Sequence, residues 1–170
     1  HLVGVEPLPP NMPEPRGMGF SIRAKVDADH ASGTVTQRSR TGFIVFLNCA
    51  PIYWQSKKQT SVESSSFGSE FVAMKQCCEF LRSLWYKFQM MGIPCDGPAY
   101  IQGDNQLVLA NTKVPDSTLK KKSQSFCYHF VGEGVARDEW HTMYGNTNKN
   151  EADLLTKVLV GVKHRTFSRS

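Results

Sequence analysis

Alternating apolar and polar positions predict three strands near the N-terminus of the chain. Residues 19–27 place every second residue, from Phe20 to Val26, on an apolar side, which is the period of a half-buried strand. Two further apolar runs, residues 41–48 and 52–56, are separated by Cys49-Ala50-Pro51. Two such runs around a short break are typical of a β-hairpin. We therefore expect these three strands to be neighbours.

A long helix is predicted next. Large apolar residues recur at alternating steps of four and three, the spacing of one helical face. They are Phe67, Phe71, Met74, Cys78, Leu81, Trp85 and Phe88, and we expect this stripe to face the core. Serines at positions 64–66 are candidate N-caps, and Gly92 with Pro94 ends the helix. Glu70 lies in the first turn at the margin of the stripe, where a half-buried carboxylate needs a partner.

Short strands and helices alternate in the second half of the chain. Residues 99–102 form a predicted strand that runs into Asp104, and residues 139–144 form another. Helices are predicted over residues 105–110, 120–131 and 151–159. The element order βββαβα(α)βα predicts an α/β fold, a mixed central sheet with helices packed on it.

Composition and charge indicate how many domains to expect, what kind of partner is favoured and in which state the cysteines are. A chain of 170 residues favours one domain, and no apolar run approaches the length that crosses a membrane. The net charge of +5 favours a polyanionic partner. Five cysteines, an odd number without a C-x-x-C pair, predict reduced thiols in a reducing compartment.

Four acidic residues at the ends of predicted elements are the candidate chemical site. They are Asp27, Glu70, Asp104 and Asp153, on β, α, β and α surroundings in that order. Hard oxygen ligands suit magnesium or manganese, and two such ions side by side are a common device for cutting a phosphodiester. From strand alternation alone Asp29 remains an alternative to Asp27, because the two share one face. The pattern points to a nuclease.

Seven motifs together resemble the ribonuclease H domain at the end of the reverse transcriptase of copia-type retrotransposons. They cover about residues 18–159, in the family's order and spacing. The motifs are Val26-Asp27-Ala28-Asp29-His30-Ala31, Arg38-Ser39-Arg40-Thr41-Gly42-Phe43, Trp54-Gln55-Ser56-Lys57-Lys58-Gln59-Thr60, residues 64–74 around Ser69-Glu70, Gly103-Asp104-Asn105-Gln106, Tyr128-His129-Phe130 and Ala152-Asp153-Leu154-Leu155-Thr156-Lys157.

The resemblance implies a ribonuclease H-like fold and cleavage of the RNA strand of an RNA–DNA hybrid. It selects Asp27 over Asp29 and implies that Asp27, Glu70, Asp104 and Asp153 are both the catalytic residues and the ligands of two magnesium ions, with manganese as a substitute. It also implies a partner, the reverse transcriptase domain of the same polyprotein, and no membrane. An active element would place the domain in a cytoplasmic virus-like particle.

Basic and amide side chains are the candidates for contact with nucleic acid. Phosphate contacts position a duplex without reading its sequence, and the 2′-hydroxyl distinguishes RNA from DNA. The candidates are Arg38, Arg40, Lys57, Lys58, Asn105, Gln106, Lys121 and Lys122. Trp54 is expected either in the core, the simpler interpretation for an aromatic residue at a strand end, or stacked on a base.

The resemblance also divides the chain. Residues 1–17, which hold five prolines, are expected to be a linker from a preceding reverse transcriptase region, residues 18–160 the ribonuclease H-like domain and residues 161–170 a tail. A start at His1 rather than Met is expected for a piece of a longer polyprotein or a truncated reading frame.

Two other functions stay open at this point. Residues 145–150 lack the histidine that many ribonucleases H carry before the last aspartate, and Ser123 stands where copia-type relatives often have histidine. Such departures favour, as the alternative, a non-catalytic module that binds nucleic acid or supports a polymerase. An integrase-like nuclease is disfavoured, because integrase-type sites use three acids with other spacings.

Overall fold

Five strands form one sheet in the computed structural model. They are β1 (Ile22–Asp29), β2 (Arg40–Leu47), β3 (Ala50–Lys58), β4 (Ala99–Gly103) and β5 (Trp140–Tyr144). Three helices accompany them in the described part of the chain: α1 (Ser66–Met90), α2 (Lys122–Ala136) and α3 (Asp153–Thr156). The structure describes residues 10–11, 13–14, 16–30, 38–60, 66–104, 122–146 and 150–157. The predicted α/β class with a mixed central sheet is confirmed.

The sheet has the strand order β3-β2-β1-β4-β5 and combines two kinds of pairing. β1, β2 and β3 form an antiparallel meander in which Asp27 lies opposite Gly42. β4 pairs parallel to β1, and β5 pairs parallel to β4. The β1–β4 pairing covers only Arg23 to Lys25 on β1, so these two strands are no longer paired where β1 reaches Asp27.

Helix α1 covers one face of the sheet and supplies more of the buried core than any other described element. Its buried residues include Phe71, Met74, Cys78, Leu81 and Phe88, as the apolar stripe predicts. Trp85 is the exception, since 45% of it is exposed. In the second half of the helix the buried residues are Leu81 and Phe88, and Trp85 lies at the edge of the helix face that they define. No described helix is long and apolar enough to cross a membrane.

Where the structure describes them, the remaining predicted elements are present, but the last helix is shorter than predicted. The helix expected over residues 120–131 runs from Lys122 to Ala136 and packs against α1, and the strand expected over residues 139–144 is β5. The final helix, expected over residues 151–159, is shorter than predicted: α3 begins at Asp153 and ends at Thr156, because Lys157 has an extended backbone. The helix expected over residues 105–110 lies outside the described residues.

The second face of the sheet is covered differently. Among the described elements α3 packs on it, against β1, β2 and β3, whereas no long helix does. Trp54 pairs with Ile44 on this face and is 66% exposed. Its interpretation as a core residue is therefore wrong, because the core formed by α1 lies on the other side of the sheet.

Candidate metal centre

Three aspartates converge where the central strands end. Asp27 is near the end of β1, Asp104 follows β4 directly and Asp153 is the first residue of α3. One carboxylate oxygen of each lies within 4.8 Å of those of the other two. Because β1 and β4 are parallel neighbours, their carboxyl ends meet at one edge of the sheet. Asp27 and Asp153 are almost completely buried, 0% and 1% exposed, whereas Asp104 is half-buried.

Glu70 lies beside this group, just after the first turn of α1. Burial raises the pKa of its carboxyl from 4.5 to about 9, and the negative charges of Asp27 and Asp104 add to the shift. A hydrogen bond from the Ala28 backbone and the charge of Lys157 act in the opposite direction. Glu70 therefore carries a proton at neutral pH when no cation is bound. The two aspartates whose charges act on it are also two that a bound cation would contact.

Gln59 joins the start of α1 to the sheet and so fixes Glu70. Its Nε2 donates to the Ser69 carbonyl at 2.8 Å and to Thr41 Oγ1 at 3.0 Å, and its backbone N–H donates to Ser39 at 2.8 Å. The side chain is 1% exposed. A buried amide with these partners sets the position of the helical turn that carries Glu70.

Helix α3 approaches the sheet closely because Gly42 lies beneath it. A Cβ at Gly42 would be 2.6 Å from Thr156 Cγ2 and 2.8 Å from Leu155 Cβ. Above β3, the Ser56 hydroxyl donates to the Leu155 carbonyl. Glycine opposite Asp27 thus opens the space in which α3 brings Asp153 onto the sheet.

Asn150 anchors the segment before α3 at the point where β1 and β4 separate. Its Nδ2 donates to the Val26 carbonyl at 3.0 Å, and its Oδ1 accepts from the Ala152 backbone N–H at 3.2 Å. The side chain is 1% exposed. An ion pair between Lys25 and Glu151 lies next to it. The Asn150 amide thus gives the Val26 carbonyl the hydrogen bond that no neighbouring strand supplies there. Its second hydrogen bond, from Ala152, positions the start of α3.

Two residues at the end of α3 contact the carboxylates directly. The Thr156 hydroxyl donates to Asp27 Oδ2. Lys157 Nζ lies 3.2 Å from Asp27 Oδ1 and 3.1 Å from Asp153 Oδ1. Neither residue, nor Asn150, Gln59 or Gly42, was assigned a site role from the sequence. Four of the five, all except Asn150, lie within the motifs quoted above, and this membership was the sequence signal that could have identified them.

The donor set fits a hard divalent cation. Burial raises the pKa of Asp27, and Asp153 and Asp104 raise it further, while Thr156 and Lys157 lower it. Carboxylates this close repel one another, and a cation among them removes the repulsion. All the donors are oxygens, which suits magnesium or manganese better than zinc.

Among the described residues, the basic candidates for nucleic-acid contact are divided between the two faces of the sheet. Arg38, Lys57 and Lys58 are exposed and Arg40 is half-buried. Lys58 lies across from Arg40, which lies across from Asp29, so these three share the face of Asp27. Lys57 is across from Thr41 and points to the opposite face. Asn105, Gln106 and Lys121 lie outside the described residues, and Lys122 begins α2.

Comparison with known proteins shows which proteins this chain resembles in sequence. No protein-family model matches the chain. It is 31% identical over 154 residues to the retrovirus-related Pol polyprotein from transposon RE2 of Arabidopsis thaliana, covering 91% of this chain. With the corresponding polyprotein from transposon RE1 it shares 28% identity over 153 residues, 90% of this chain. The chain spans about a tenth of these relatives, 11% and 10% of their lengths.

Solved structures identify the fold. LC11-RNase H1, determined in complex with an RNA/DNA hybrid, matches with a TM-score of 0.61 over 80% of this chain and 94% of that one. Sequence identity over the match is 14%, so the likeness concerns the fold. The mixed sheet described above is the sheet of the ribonuclease H fold.

Proposed function

This chain is a ribonuclease H-type domain of the copia-type retrotransposon Pol polyprotein family, and from this premise we propose that it is a metal-dependent endonuclease. Its proposed substrate is the RNA strand of the RNA–DNA hybrid formed during reverse transcription. The observation that carries the proposal is the convergence of Asp27, Asp104 and Asp153 within 4.8 Å at the strand ends. Glu70 is the fourth proposed ligand: it is not among the three residues whose oxygens lie within 4.8 Å of one another, but on α1 it is close enough to Asp27 and Asp104 for their charges to act on it.

Three of the four proposed ligands differ in their surroundings and so in their proposed tasks. Asp27, buried and central, is the carboxylate that the others surround, and Asp104, half-buried, lies on the side open to substrate. Two bound magnesium ions, or manganese in their place, would supply the activation of water and the neutralisation of charge on the leaving oxygen. Glu70 must give up its proton before it can bind a cation, so cation binding and proton release are coupled.

Substrate contact is proposed for the face that carries the site. Arg40 and Lys58 lie on this face next to one another, and the exposed ring of Trp54 lies further along it. Lysine and arginine bind phosphates without regard to sequence, and an exposed indole offers a stacking surface. The neighbouring LC11-RNase H1 structure, which contains an RNA/DNA hybrid, supports the choice of substrate. The reverse transcriptase domain of the same polyprotein is the proposed protein partner.

The test is cleavage of a labelled RNA–DNA hybrid in magnesium by the unchanged chain and by Asp104→Asn. This change removes a charge and keeps the shape of the side chain, so we expect hybrid binding without cleavage. Asp138→Asn is the matched control, because Asp138 lies at the turn before β5 with 70% of its side chain exposed.

Cleavage that Asp138→Asn retains and Asp104→Asn loses supports the proposal. If the unchanged chain binds the hybrid but does not cut it in magnesium or manganese, the endonuclease proposal fails. The non-catalytic module then becomes the better account, and the absence of histidine from residues 145–150 favours it.

A further inference from the structure

Lys157 occupies the space between two proposed ligands. Its ammonium nitrogen lies 3.2 Å from Asp27 Oδ1 and 3.1 Å from Asp153 Oδ1. These aspartates are 0% and 1% exposed, whereas 35% of the lysine side chain is exposed. A positive charge therefore enters the carboxylate cluster from the solvent side on a long, flexible stem.

The neighbouring contacts show that the lysine neutralises charge here. Burial lowers the pKa of Lys157, but Asp27 and Asp153 raise it by more, so the net shift is upward and the side chain stays charged. Thr156 donates to the other oxygen of Asp27, so two consecutive residues cover both oxygens of this carboxylate. An ammonium at hydrogen-bond distance from two carboxylates offsets the same repulsion that a cation would offset.

We propose that Lys157 is an internal counter-ion that competes with the divalent cation for Asp27 and Asp153 and is displaced when the cation binds. The proposal rests on the proposed function, because it takes the carboxylates to be a cation site. Lys157 then sets the cation concentration at which the site fills and keeps the empty site folded. It is a residue that tunes affinity, and no step of the cleavage is assigned to it.

If the Lys157 ammonium competes with the cation, removing its charge should strengthen cation binding, whereas removing a purely structural ion pair should not. Lys157→Met keeps the stem and removes the charge, so the cation no longer has to displace an ammonium. We expect the Kd for Mn²⁺ to fall about tenfold, which corresponds to about 1.4 kcal/mol. In EDTA the same variant should unfold at a lower temperature than the unchanged chain, because its carboxylates repel without compensation. The rise in unfolding temperature on adding Mn²⁺ should be larger.

Two matched variants complete the experiment. Lys157→Arg keeps the charge and should bind Mn²⁺ about as the unchanged chain does. Lys75→Met removes the same charge from another i,i+4 ion pair, the one between Lys75 and Glu79 on α1, and should leave the Kd unchanged. Mn²⁺ binding is measured by titration calorimetry, and unfolding by circular dichroism with EDTA or Mn²⁺, so neither readout depends on cleavage.

The outcomes separate this inference from the proposed function. Tighter binding by Lys157→Met alone supports competition, even if the chain never cuts a hybrid. An unchanged or weaker affinity in Lys157→Met overturns it, even if the unchanged chain is an active nuclease. Equal tightening in Lys157→Arg or Lys75→Met also overturns it, because displacement of this ammonium would then not be the cause. Binding by Lys157→Met where the unchanged chain binds nothing supports it, and no binding by either overturns it.

Discussion

Replacing Gly42 by alanine tests how closely α3 must approach the sheet. The new Cβ would lie 2.6 Å from Thr156 Cγ2, 2.8 Å from Leu155 Cβ and 3.1 Å from the Ala152 carbonyl oxygen. To restore ordinary carbon–carbon contact, α3 must move away by about 1 Å. Overpacking of this kind costs about 1–3 kcal/mol of stability. Asp153 moves with the helix, and a misplacement of about 1 Å at a reacting centre slows catalysis about 100-fold.

The assay measures three quantities on Gly42→Ala: the free energy of unfolding in urea, the Kd for Mn²⁺ and the rate of hybrid cleavage. Val131→Ala is the control, because Val131 is fully buried in α2 and its truncation costs about 2 kcal/mol at a distance from α3. We expect both variants to lose stability, but only Gly42→Ala to lose cation affinity and rate. If Gly42→Ala loses stability and keeps both, the argument that Gly42 positions Asp153 is wrong.

Two further predictions concern pH and salt. The pKa of Glu70 is raised to about 9 in the folded, cation-free chain, above its ordinary 4.5, so its contribution to stability is present below about pH 4.5 and is lost as the pH rises through 9. Urea unfolding in EDTA should therefore show a flatter pH profile for Glu70→Gln, and an unchanged profile contradicts the shift. Lys58→Gln should reduce the salt dependence of hybrid binding by about one phosphate contact, whereas Lys57→Gln, on the opposite face, should not. Equal effects would show that the duplex does not bind by the face of Asp27.

The strands and the long helix follow from hydrophobic periodicity because each has one face in a single core. The period of two in β1 and the apolar stripe of α1 both record contact with this core. The same dependence on the core explains why the prediction for Trp54 was wrong. A strand pattern shows that two faces differ, but it does not show which face of the sheet a long helix covers. Trp85 shows the related limit for helices, because the buried face turns gradually along α1.

The four acids could be chosen as candidates because carboxylates at element ends suit a cation site, but the choice between Asp27 and Asp29 needed the family. The structure gives the physical difference between them. Asp27 lies opposite Gly42, so α3 can close over it, whereas Asp29 lies opposite the large side chain of Arg40 and remains half-buried. Side-chain alternation cannot show this difference, because it depends on the neighbouring strand.

The residues that support the site could not be predicted from local pattern. Asn150, Thr156 and Lys157 contact β1 across 124 to 130 positions of the chain. A single asparagine or threonine carries no periodic signal, and its role exists only once the first strand and the last helix are together. Gln59 is similar, because its partners lie on β2 and α1.

The distance along the chain between β1 and α3 also sets an order of assembly. All five strands are complete at Tyr144, whereas Asn150, Asp153 and Lys157 are synthesised later. During translation a nascent chain can therefore pair its whole sheet before it possesses a carboxylate cluster, because contacts between distant segments form only after both segments exist. A product that terminates between Tyr144 and Asn150 would retain the sheet and both longer helices yet lack the segment that closes over Asp27. The segment from Asn150 to Lys157 is thus the last part of the proposed site to be synthesised.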